Sequence, residues 1–161
     1  MPDFLAWMEA SALGRVMRES GPWAYAVVNL SHILGVATLF GAVLVLDLRL
    51  IGLWRRVPLS ALVATSVPVA ASGCALALVT GPLLLAVQAT EYIGNPFLLI
   101  KFPAIALGLA NALAVRRLPA WRAHATRALT RRETRQLAAA GGVSLVCWLT
   151  AITAGRMIAY W

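Results

Sequence analysis

Charge is what this sequence has least of. Asp and Glu number 6 and Lys and Arg 14 in 161 residues, so only 12% of the chain is charged, where a soluble domain carries about a quarter. With 61% of its residues hydrophobic, a water-exposed fold of this length could not hide its apolar surface, and a bilayer is the solvent that fits. Cysteine is limited to Cys74 and Cys147, both deep in apolar runs, where an unpaired Cys behaves as a small hydrophobe and reports no redox compartment. There is no Cys-x-x-Cys and no close His pair, so the signal for a metal is weak. No nucleophile, base and oxyanion set stands out, which argues against an enzyme. The chain does not open on a basic flank, a short apolar core and a small-residue cleavage site, so the expectation is an unprocessed protein inserted by its first span.

What the chain does have is four long apolar runs, at about 23–46, 62–89, 96–115 and 137–160, each near or above the roughly 20 residues needed to cross a bilayer. The expected fold is all-α: a single integral membrane domain, 1–161, built as a four-helix bundle. Ahead of it, residues 3–19 place Leu5, Met8, Ala12 and Val16 on one helical face, which predicts an amphipathic helix lying at the membrane interface with Trp7 as an anchor. Gly21-Pro22 then opens the first span.

Ten of the fourteen cations fall in two places: Arg49, Arg55 and Arg56, then Arg116, Arg117, Arg122, Arg127, Arg131, Arg132 and Arg135. A net charge of +8 in a soluble protein would point to nucleic acid. Here both clusters flank apolar runs, which argues against nucleic acid and places these loops in the cytoplasm of a bacterium, with both termini periplasmic and the protein in the inner membrane. Leu118–Gln136 reads as one Arg-rich amphipathic helix on anionic headgroups.

Polar residues inside the spans carry the functional information, because each must reach the interface or find a partner. Asn29, His32 and Asp47 lie within about 60° of one direction on a helical wheel. His32 sits roughly 15 Å past the outer boundary and has two readings: a haem or metal ligand or proton carrier, or a neutral imidazole hydrogen-bonded across the helices. His124, in the basic loop, reads as solvated. A haem b would have to use His32 alone, with a non-His second ligand, or with its copy from a neighbouring protomer in a homo-oligomer or larger membrane complex. Lys101 and Arg156, near the outer ends of the third and fourth spans, read either as interfacial anchors that snorkel or, with Glu91 in the second loop, as an anion site. Asp47 and Asn111 reach similar depth and form a candidate structural polar pair. Gly35, Gly73, Gly141 and Gly155 allow close helix approach.

Three segments carry a resemblance: SHILGVATLFGAVLVLDLRLIGL from Ser31, NPFLLIKFPAIALGLANAL from Asn95, and the terminal AGRMIAYW. Through them the chain resembles an uncharacterised family of small bacterial four-helix membrane proteins, a domain of unknown function. A fainter similarity, through His32, Lys101 and Asn111, is to the membrane domain of copper resistance protein D. That resemblance implies copper handling, but the array of Met and His that would coordinate copper is missing; only Met8, Met17 and Met157 fall on the expected outer side. The leading expectation is therefore a membrane component that binds or conducts a redox metal, haem or other small species. The alternative is an accessory subunit whose buried polar groups only fix helix register.

Overall fold

Four helices long and apolar enough to cross a membrane organise the computed structural model, which describes residues 2–161. Two short helices, α1 (Pro2–Ala10) and α2 (Ala12–Glu19), precede the first span, α3 (Gly21–Ile51). The others are α4 (Leu59–Val87), α5 (Pro96–Arg117) and α7 (Arg131–Met157), with a short α6 (Pro119–Ala123) before the last. Single 3-10 turns, Ala89–Tyr92 and Ile158–Tyr160, follow α4 and α7. The protein is all-α, and among the described residues there is no strand. Leu30 on α3, Val79 on α4, Leu107 on α5 and Val146 on α7 are each 57–65% exposed. So much bare apolar surface on every long helix requires a lipid cover, and this is a multi-pass membrane protein.

Contacts group the chain into two compact units: Met1–Leu39 with Ala71–Asn95, and Phe40–Ala70 with Pro96–Trp161. In the first unit, α3 and α4 touch through glycine. A Cβ placed on Gly73 would lie 2.5 Å from the Leu39 nitrogen and 2.7 Å from the Gly35 carbonyl oxygen. In the second, α7 receives both α3 and α5. Gly141 lies against the Asp47 backbone, Gly108 makes room for the buried Trp148 ring, and Leu50, Val115, Ala120 and Leu137 form an apolar core.

The helix expected over 3–19 is divided at Ser11. Its hydroxyl bonds the Met8 carbonyl at 2.5 Å and accepts from the Gly14 amide at 3.3 Å, capping α2 and ending α1, as short hydroxyl side chains do. The protein-facing residues are Leu5, Gly14 and Met17, while Val16 is exposed. These helices dock on the end of α4: Gly14 packs on the Ala86 carbonyl, and Arg18 donates to the carbonyls of Ala86 and Val87 at 3.4 and 3.2 Å. A cation there satisfies the last carbonyls of a helix and suits its dipole.

The third loop also differs from the single helix expected over Leu118–Gln136. Thr130 and Glu133 form a capping box, each side chain satisfying the other residue's backbone amide, which starts α7 at Arg131. The fourth span is thereby preceded by an extra turn and a half of helix, and α6 is left as a separate five-residue helix opened by Pro119.

Candidate functional site

His32 is half-buried on α3, and the structure supplies a partner that sequence reading could not name: Thr80 on α4. The imidazole Nδ1 lies 2.9 Å from the Thr80 hydroxyl, and that hydroxyl donates its single proton to the Leu76 carbonyl at 2.7 Å. Thr80 therefore accepts from His32, which puts hydrogen on Nδ1 and holds the imidazole by that nitrogen. The ring sits over Gly81, where an added Cβ would come within 3.3 Å of Cε1. Thr80-Gly81 thus provides both the acceptor and the space. Asn29 lies one turn before His32 on α3 and is partly buried.

Asp47 and Asn111, expected to bond one another, each bond α7 instead. The Asn111 amide donates to the Ala140 carbonyl at 3.0 Å, and Asp47 shares a hydrogen bond with the Ser144 side chain. The two partners, Ala140 and Ser144, are one turn apart on α7, which small residues let both helices approach. Asp47 is only 4% exposed, and its Oδ2 has no hydrogen-bond partner among the described residues.

Lys101 and Arg156, both in the second unit, take different partners. The Lys101 stem lies over Gly155, with Nζ 3.4 Å from the position a Cβ would take there. Arg156 is exposed and turns onto Tyr160, its guanidinium carbon 4.7 Å from the ring centroid and its Nη2 donating to the phenol oxygen. A cation over an aromatic face needs no carboxylate, which accounts for Arg156 without Glu91. Glu91 belongs to the first unit and accepts from Gln88 at 3.2 Å. Among the described residues no three His, Cys, Asp or Glu side chains are grouped to hold a metal ion.

Outside the spans, Glu9 is the acid whose role the sequence hid. Its carboxylate accepts from both the amide and the hydroxyl of Thr90, each at 2.7 Å, and these bonds hold its pKa below the ordinary glutamate value. His124, expected to be solvated, is half-buried, bonded through Nδ1 to the Trp121 carbonyl and packed on the Trp121 ring. Arg127 makes a bidentate pair with Glu133 at 2.6 and 2.9 Å, which raises the arginine pKa.

A family model covers residues 4–161, nearly all of the chain. The chain belongs to a family of unknown function, DUF6644. No curated protein and no solved structure matches it. Membership in DUF6644 extends over all four spanning helices and the docked N-terminal pair, so the geometry around His32 and Asp47 lies wholly inside the family domain.

Proposed function

We propose that this DUF6644 member is a non-enzymatic component of the bacterial inner membrane that binds or conducts a small species, with His32 as the residue that takes it. The observation that carries this reading is the chain from His32 Nδ1 through the Thr80 hydroxyl to the Leu76 carbonyl. A ligating or proton-carrying histidine is typically oriented this way, by a hydrogen bond at one ring nitrogen. A copper ion would need further protein ligands that are not grouped among the described residues. A proton needs none, and a haem brings the nitrogens of its own ring, so these two fit His32 better. A bis-histidine haem would require His32 from a second copy.

The arginine loops support the orientation in which both termini face the periplasm, and they support contact between the third loop and anionic headgroups. Glu91, Lys101 and Arg156 serve in this reading as interfacial groups at the opposite end, with their stems in the apolar layer. The test is an absorption spectrum and elemental analysis of the purified protein, together with proton uptake by proteoliposomes. A Soret band, stoichiometric metal or His32-dependent proton uptake supports the proposal. A colourless, metal-free protein that passes no protons supports an accessory subunit instead.

A further inference from the structure

The second unit contains a cavity of about 330 Å³ at its arginine-rich end, lined by Arg49, Arg55, Arg127 and His124 together with the half-exposed Leu59 and Leu129. The backbone builds it deliberately. Gly52, at φ 123°, ends α3, with the Leu53 amide reaching back to the Leu48 carbonyl at 2.9 Å, a glycine C-cap. Trp54 then adopts φ 49°, a left-handed conformation that is unfavourable for a non-glycine residue. The resulting turn folds the 52–57 segment back over Arg49, whose Nε donates to the Val57 carbonyl at 2.8 Å and whose Nη2 donates to the Arg55 carbonyl at 3.3 Å. Arg55 Nε is held by the Gly52 carbonyl at 3.1 Å.

These bonds fix two guanidinium groups without neutralising them. Carbonyls accept from Arg49 and Arg55, but no carboxylate pairs with either among the described residues, and no acidic side chain lines the cavity. Arg127 alone is offset, by Glu133. Among the described residues no partner takes Nη1 of Arg49 or either Nη group of Arg55, which leaves those donors for a ligand. Fixed, forked donors without a counter-charge suit an oxyanion, phosphate above all. The half-exposed Leu59 and Leu129 and the position beside the spanning helices select an amphiphile, whose first methylenes would cover these two leucines.

We propose that this cavity is a binding site for the phosphate group of an anionic lipid, held by Arg49 and Arg55. It deepens the headgroup contact proposed above from a diffuse attraction of the third loop to one defined site, and it rests on that reading. The test uses the full-length protein in neutral detergent, with binding of short-chain phosphatidylglycerol and phosphatidylcholine followed by native mass spectrometry. Phosphatidylglycerol should bind in preference. Arg55→Gln should weaken it about fivefold, the weight of one cation near an anionic surface. Ala128→Trp fills the cavity while leaving every charge in place, and it should abolish the preference. Arg117→Gln and Arg132→Gln, outside the cavity, should bind as the parent does. Parent-like binding by both Arg55→Gln and Ala128→Trp overturns the site. If Arg117→Gln and Arg132→Gln alone lose binding, the diffuse attraction survives and the cavity does not. No preference in the parent removes both. Displacement of the lipid by an equal concentration of inorganic phosphate would assign the cavity to a free anion and overturn the lipid.

Discussion

His32 on α3 and Thr80 on α4 are joined by a hydrogen bond of 2.9 Å whose direction is set by a third group, the Leu76 carbonyl that takes the threonine proton. The bond ties two spanning helices of the first unit together and orients the imidazole in the same step. Replacing Thr80 by Val keeps the shape and removes the acceptor. Interhelical hydrogen bonds inside membranes contribute on average about 0.6 kcal/mol and at most about 1.7. A double-mutant cycle of His32→Ala and Thr80→Val, measured by denaturing-detergent titration, should return a coupling in that range. Additive effects would show that the two side chains do not stabilise one another.

Glycine sets how closely α3 and α4 approach. A methyl group on Gly73 meets backbone atoms of Leu39 and Gly35 at 2.5 and 2.7 Å, whereas on Gly142 it meets nothing within 4 Å. Gly73→Ala should therefore cost about 1–3 kcal/mol by overpacking. Gly142→Ala should be neutral or stabilising by up to about 1 kcal/mol through helix propensity. The same unfolding titration ranks them, and equal stabilities would deny the close approach.

Docking of the N-terminal helices should weaken in acid. Hydrogen bonds from Thr90 lower the Glu9 pKa from its ordinary 4.5. A carboxyl whose folded pKa is depressed contributes its stabilisation fully above the ordinary value and loses it as pH falls through the folded one. Hydrogen exchange at the Thr90 amide should therefore accelerate below about pH 4.5 beyond its intrinsic pH dependence. In Glu9→Gln it should be fast already at neutral pH, with no such transition. A Thr90 amide that remains equally protected in both proteins would remove Glu9 from the docking contact.

Reporter fusions test orientation. Fusions at Arg55 and Arg127 should report cytoplasm, and fusions after Trp161 should report periplasm, because positive charge is retained inside. A cytoplasmic C-terminus contradicts the proposed topology.

How much was legible in the sequence depended on the range of the signal. Apolar runs are long and local, so the four spanning helices and the all-α class could be read directly. Thr130 and Glu133 were also local, a Thr-x-x-Glu capping box, but the dense arginines around them favoured a surface helix and concealed the true start of α7. Partner choice was not local. His32 bonds a residue 48 positions away and Glu9 one 81 positions away, and no periodicity encodes which helix lies opposite. Asp47 and Asn111 were matched by depth, a one-dimensional criterion, while the small residues of α7 drew each of them to that helix instead.

His32 is the residue on which ligand binding or proton passage depends most directly, and the decisive measurement compares His32→Ala with His124→Ala, each purified alongside the parent. It records visible spectrum, bound metal and proton uptake in proteoliposomes. His32 occupies a spanning helix, where a polar group must be partnered, and Thr80 holds it there, whereas His124 packs on Trp121 in the third loop. The account predicts that one of the three signals is present in the parent, lost in His32→Ala and retained in His124→Ala. Signals unchanged in His32→Ala, or absent from the parent itself, would contradict it and reduce the His32–Thr80 bond to a packing contact.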